Sequence, residues 1–339
     1  MIAPWTMKRL LRADPAVEFS NTRNLLADEP EVEIGLENTA NHTTSHSIVG
    51  GIERFHAQPR KRNSHPPLLM VHGMWHNASC WKNWQAWLAD HGWESVAFSL
   101  PGHGRSPVQR PVATCSLAYY LKFLVGEVER LGAAPVLVGH RMGGALVQWY
   151  LKHVGQPVAA VFVASWTSHD VLRDCLRSAL LIDPLGTLLG AVLGWKFQFR
   201  SDRQVRDWFF SKAAQDEVTQ LRSELGPESE IVLMQHRPPL WTPPPSVGCQ
   251  TLWLSAGSDA IIPLSASRRS AQHYGSTFVR VADAGHDIML DREWDAAANT
   301  AHCFLENMIG NEPNGSSQTK CGRSRISEDF SRLRPGQPL

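Results

Sequence analysis

The sequence predicts an α/β protein with a mostly parallel sheet, helices on both faces and a helical insertion past its middle. Three observations predict it. Short, wholly apolar runs recur and each ends in a turn; stretches with helical spacing separate them; the alternation halts over residues 168–246 and then resumes. Continuous apolar strands suit a sheet buried on both faces, and strand–helix alternation suits parallel pairing.

Residues 1–46 read as an irregular N-terminal extension, polar, with acidic residues at 28–37. A β-like segment, Ser47–Phe55, opens the folded core. Leu68–Val71 is a buried strand ending at His72-Gly73, and Trp81–Leu88 has helical spacing. Glu94–Leu100 is the next strand and runs into the loop Pro101-Gly102-His103-Gly104-Arg105-Ser106. Leu117–Arg130 is an amphipathic helix. Pro135–Val138 is a strand that enters Gly139 and then a helix from Gly143 to His153; Val158–Ala164 is another strand. After the mostly helical 168–246, read as a lid or cap, come a strand at Thr251–Ser255, a helix at Leu264–Tyr274, a strand at Thr277–Val281 and a helix at Trp294–Met308. The core is thus expected over 47–167 and 247–310, with residues 311–339 a disordered tail.

Composition excludes several classes. The 339 residues are 43% hydrophobic and 19% charged, ordinary for a folded protein. Lys plus Arg number 33 against 32 acidic residues, so no charge footprint points to nucleic acid or an anionic membrane. The longest apolar stretch, Ala179–Leu193, is broken by Asp183 and Pro184 and is too short to span a bilayer. The six cysteines lie far apart with no C-x-x-C pair, and the N-terminus lacks the apolar run of a secretory signal. A cytoplasmic protein is the expectation, with neither zinc nor a redox dithiol suggested by the cysteines; oligomeric state is not legible.

The segment Val138-Gly139-His140-Arg141-Met142-Gly143-Gly144 follows a strand and opens a helix, the setting of a G-x-S-x-G nucleophile elbow. Together with the His-Gly loop after an early strand and the Pro-Gly-His-Gly-x-Ser loop, it resembles the α/β-hydrolase fold family over roughly residues 50–310. The likeness is greatest to compact esterase and lysophospholipase-like members. The resemblance implies an acid in Gly257-Ser258-Asp259 and a histidine in Ala284-Gly285-His286-Asp287, in the family's chain order. It also implies a backbone oxyanion hole at Met74 and Met142, and no metal or organic cofactor. Trp75, His76, His140 and Trp166 are expected to line the substrate pocket, with His72 shaping its loop.

The departure is at the decisive position, where Arg141 stands in place of the nucleophile. A guanidinium has no hydroxyl and no lone pair to attack a carbonyl. Loss of the serine from such a triad costs on the order of 10⁶ in kcat, leaving a residual ~10³–10⁴ over water. His286 with Asp259 still makes a general base. Three fates are open to Arg141: pairing with Asp259, clamping an anionic group of the ligand, or swinging out to solvent. Ser165, Ser79 and Cys80 are the replacement nucleophiles to check. The readings that follow are an enzyme acting on a small apolar carbonyl or ester compound without a covalent intermediate (hydrolysis, or lyase, cyclase or isomerase-type proton transfer); a catalytically inactive binding or interaction module; and a serine hydrolase altered by one base at codon 141.

Overall fold

The computed structural model describes residues 14–61, 63–193, 195–211 and 218–310. Nine strands form one sheet: β1 (Val32–Asn38), β2 (His42–Val49), β3 (Ile52–Pro59), β4 (Leu68–Val71), β5 (Ser95–Phe98), β6 (Val136–His140), β7 (Ala159–Val163), β8 (Gln250–Ala256) and β9 (Thr277–Val281). Their order is β1-β2-β3-β5-β4-β6-β7-β8-β9; β1, β2, β3 and β5 pair antiparallel, and from β5 to β9 every pair is parallel. This is the mostly parallel, helix-flanked sheet that the apolar runs predict.

Side-chain alternation along the strands builds two cores. Leu69 and Val71, Leu137, Ala160 and Phe162, and Trp253 enter the core on one face. Leu68 and Met70, Val136 and Val138, Val161 and Val163, and Leu252 and Leu254 enter the core on the other. Both parities of each central strand are apolar because both faces are covered. The flanking helices are α1 (Pro15–Asn21), α2 (Lys82–Asp90), α3 (Leu117–Leu131), α4 (Met142–His153), and, after the insertion, α11 (Leu264–Tyr274) and α12 (Trp294–Gly310). Ser116 caps α3 through Tyr119 N at 3.1 Å, and left-handed Gly132 ends it.

Two expectations for the N-terminal part need correction. The stretch expected to be irregular up to residue 46 holds α1, β1 and most of β2. Val32-Glu33-Ile34-Gly35-Leu36-Glu37 alternates apolar and polar as a strand does, and the acidic residues mark an exposed edge rather than a loop. The segment 47–55 is not one strand: Gly50 and Gly51 take φ +56° and +68° and turn β2 into β3. Two consecutive left-handed residues are what a tight hairpin requires. The 311–339 stretch lies outside the described residues.

Between β7 and β8 the chain forms α5 (Val171–Ile182), α6 (Pro184–Leu193), α7 (Trp195–Gln198), α8 (Asp202–Phe209), α9 (Val218–Glu224) and α10 (Ile231–Gln235). The insertion is tied to the sheet's loops at several points. Asp287 N donates to Phe209 O at 2.9 Å, and Gly226 N to Trp75 O at 2.8 Å. Glu228 accepts from Tyr120 Oη at 3.0 Å and pairs with His103 Nε2 at 3.1 Å, both side chains of the His–Glu pair fully buried. No helix among the described residues is long and apolar enough to cross a membrane.

A buried pair joins the antiparallel strands to the helical layer: Arg54 Nε donates to Glu127 Oε2 at 2.6 Å, and Nη2 bonds the other oxygen. Arg54 also donates to Val49 O and Ile52 O. Removing one partner leaves an uncompensated buried charge. Glu127→Ala should therefore lower unfolding stability by roughly 3–5 kcal/mol, read from the urea midpoint; a change near zero would show that the pair is not sealed from water.

Candidate active site

The elbow forms where β6 passes into α4. Arg141 sits between them with φ +50° and ψ −113°, a conformation that side chains rarely adopt. Neighbouring backbone fixes it there: Arg141 N donates to Val163 O at 3.3 Å, and Arg141 O accepts from Trp166 N at 3.1 Å and Ala145 N at 3.2 Å. The glycines that follow permit the approach. A Cβ on Gly143 would lie 2.2 Å from Val71 O, so α4 could not start against β4 with any other residue there. The strained strand-to-helix turn thus carries a residue whose side chain has no hydroxyl or thiol.

Asp259 and His286 come from the loops after β8 and β9 and meet as expected. His286 Nδ1 lies 2.9 Å from Asp259 Oδ2 and 3.0 Å from Oδ1. Asp259 Oδ1 also accepts from the amides of Ile261 and Ile262, both at 2.9 Å, which fixes the carboxylate before the imidazole arrives. A carboxylate at Nδ1 selects the tautomer with Nε2 free to take a proton. His286 Nε2 is buried and has no hydrogen-bond partner among the described residues, so the basic end of the pair is left open to a reacting group.

Arg141 meets only one of its three expected fates halfway. The side chain is 4% exposed, so it does not swing into solvent. It does not pair with Asp259, whose oxygens are taken by His286 and two amides. Its guanidinium lies over the ring of Trp75, 4.4 Å from the centroid, with Phe209 at 5.7 Å, and Nε and Nη1 have no partner. Desolvation pulls its pKa down to about 10, with Asp287 the largest opposing influence. It stays a cation at neutral pH, held by an aromatic face and lacking an anion.

The rest of the expected lining divides. Trp75 has φ +66°, and the amides of Met74 and Met142 donate to no group among the described residues, as an oxyanion hole requires. His72 Nδ1 donates to Gly73 O at 2.8 Å while Nε2 accepts from Leu100 N at 3.0 Å, so it shapes the loop. His76 reaches Met74 O at 2.8 Å through Nδ1 and Asp287 Oδ2 at 2.7 Å through Nε2. His140 lies beside them, its ring centroid 5.2 Å from that of His286 and its Nε2 3.5 Å from Asp287 Oδ1. Burial, then the neighbouring His286, His76 and Arg141, hold His140 well below the usual imidazole pKa. Trp166 departs from expectation: its amide braces the elbow, and its ring faces His236 at 5.9 Å. Asp287, Phe199 and Phe209 were not anticipated; the immediate succession His286-Asp287 is the available signal for the first, and nothing local marks the two rings.

None of the replacement nucleophiles is poised. Ser165 Oγ donates to Trp166 O at 2.9 Å and packs against Gly144. Ser79 Oγ donates to Glu224 at 2.8 Å, and burial raises the Cys80 thiol well above its ordinary pKa. The ligating atoms of His140, His286 and Asp287 lie within 4.8 Å of one another and could hold a divalent ion. The adjacent buried cation of Arg141 opposes such an ion.

Residues 68–300 match the sequence profile of the Alpha/beta hydrolase family. The chain belongs to that family. Over 100 residues it is 32% identical to "Putative methylesterase 11, chloroplastic" of Arabidopsis thaliana, a match covering 29% of this chain and 25% of that protein's length. An esterase from Thermogutta terrifontis superposes with a TM-score of 0.58 at 17% identity, covering 82% of this chain and 99% of its own. The enol-lactonase from Burkholderia xenovorans does so at 0.57 and 18%, covering 77% and 99%. At such identities the two structures speak to the fold, which this family member shares.

Two outcomes follow from the elbow. Gly143→Ala should abolish soluble expression of folded protein or markedly lower its unfolding midpoint, whereas a tolerated alanine would mean that α4 and β4 are not in contact. The folded-state pKa of Arg141, about 10, lies below that of the free guanidinium. The unfolded chain therefore binds more protons between these values, and the stability penalty is full below pH about 10 and relieved as pH rises through that window. Arg141→Met should accordingly raise stability at pH 7 by on the order of 1–3 kcal/mol, and a loss of stability would contradict an uncompensated charge.

Proposed function

We propose that this family member is a hydrolase-type enzyme for a small apolar carbonyl compound of ester or lactone type, working by general-base catalysis without an acyl-enzyme. The observation that carries the reading is the intact pair: a buried His286 whose Nδ1 is held by Asp259 at 2.9 Å and whose Nε2 is free. In the proposed step a water oxygen attacks the carbonyl carbon while His286 Nε2 takes the water's proton. The negative charge that develops on the carbonyl oxygen is received by the amides of Met74 and Met142. The intermediate then collapses with cleavage of the ester C–O bond, and His286 returns its proton to the departing alkoxide. A carboxylic acid and an alcohol result. The same base and amides would serve proton abstraction next to a carbonyl, the course of a lyase, cyclase or isomerase.

The pocket's walls support an apolar substrate. Trp75, Phe199, Phe209 and Trp208 form a chain of rings, with Phe199 centroids 4.8 Å from Trp75 and 5.1 Å from Phe209. The insertion that carries three of them is read as the cap over the site. A second reading, a ligand-binding module without turnover, is favoured by Arg141 filling the place of the attacking atom.

Hydrolysis of p-nitrophenyl acetate separates them. The enzyme reading expects slow turnover above buffer that falls at least about tenfold in His286→Ala, within the ~10²–10⁴ range of a general base. Parent and variant indistinguishable from buffer would remove the enzyme reading and leave the binding module.

A further inference from the structure

The carboxylates that act on Arg141 are bound chiefly to other groups, Asp287 alone keeping one buried oxygen, Oδ1, without a hydrogen bond among the described residues. The acidic groups whose fields favour its charge are Asp287, Asp259 and Glu228. Asp287 receives His76 at 2.7 Å; Asp259 receives His286 and two amides; Glu228 receives Tyr120 and Ser229 N and pairs with His103. No ion pair joins Arg141 to a carboxylate among the described residues, and its Nε and Nη1 are buried without acceptors. A guanidinium removed from water and left unmatched is costly, and a bound anion is the means of offsetting it.

The group is also pre-positioned. Its backbone is fixed on both sides by Val163, Trp166 and Ala145, and its face rests on Trp75. Trp75 is in turn held through its carbonyl by Gly226 of the insertion. A fork held in one orientation loses little freedom on accepting an anion.

We infer that Arg141 turns this pocket into a receptor for a small apolar compound bearing a carboxylate, whose two oxygens pair with the guanidinium. A monoanion is selected because the charges of Asp287, Asp259 and Glu228 act at the unpaired guanidinium, and their field penalises a second negative charge. A planar carboxylate matches the guanidinium fork with two parallel N–H···O bonds. The apolar body is selected by the rings of Trp75, Phe199 and Phe209. Trp75 and Phe209 lie beside the guanidinium, so the apolar body of the ligand and its carboxylate are met at one place. The inference rests on the reading that the pocket receives a small carbonyl compound, and it holds whether or not that compound is turned over.

Calorimetric titration of the full chain at pH 7 with benzoate, with neutral benzamide and with inorganic phosphate tests it. Benzoate should bind, benzamide and phosphate should bind at least about tenfold more weakly, as one charge-assisted bidentate pair allows. Arg141→Met should weaken benzoate by at least about tenfold, and Arg141→Lys should fall between, since an ammonium keeps the charge and loses the fork. Circular dichroism of each variant establishes that it is folded. Equal binding of benzoate and benzamide, preference for phosphate, or benzoate affinity indifferent to residue 141 would each overturn the receptor. Absent ester turnover with benzoate binding intact would remove the hydrolytic reading and leave the receptor standing.

Discussion

The site depends on one constraint, the close crossing of α4 over β4 and β6 that only glycine permits. With Gly143 against Val71 O, the residue at the elbow has no alternative to its left-handed backbone. That backbone directs side chain 141 into the pocket and leaves the amide of Met142 free at the start of a helix. The constraint is indifferent to what side chain occupies the position. The arginine at this position therefore takes a fixed, inward direction, together with its burial.

Burial then decides how the arginine behaves. In water a guanidinium would be satisfied; here it exchanges hydration for the face of Trp75. Such a contact is worth about 2 kcal/mol or more when desolvated, less than the several kcal/mol that removing an ion from water costs. The difference is what makes an anion welcome at this point. His140, also buried and held neutral, adds no charge of its own. The His286–Asp259 pair remains undisturbed because its bonds run through Nδ1, on the side away from the free Nε2.

Much of this was legible in the sequence. Central strands such as Leu68–Val71 and Ala159–Val163 stand out because burial on both faces leaves no polar position. Asp259 and His286 were legible through the resemblance, which implies an acid and a histidine in the loops after two late strands, in that chain order. The edge hairpin was harder. Its alternation, Val32-Glu33-Ile34, is that of a strand, but its charge resembles a loop's, and only pairing with β2 decides between them. The cover of Phe199 and Phe209 was not legible, since the insertion packs by contacts between distant segments that no local period records. Nor was the direction of Trp166, whose ring faces His236 while its amide braces the elbow.

The central claim is that a hydrolase site is complete here except for its attacking atom. Restoring a hydroxyl by Arg141→Ser and exposing the folded variant to a fluorophosphonate measures this most directly. The account predicts stoichiometric covalent labelling at position 141, abolished when His286→Ala is added, and none in the parent chain. A folded Arg141→Ser variant that takes up no label, or a parent that does, would contradict it.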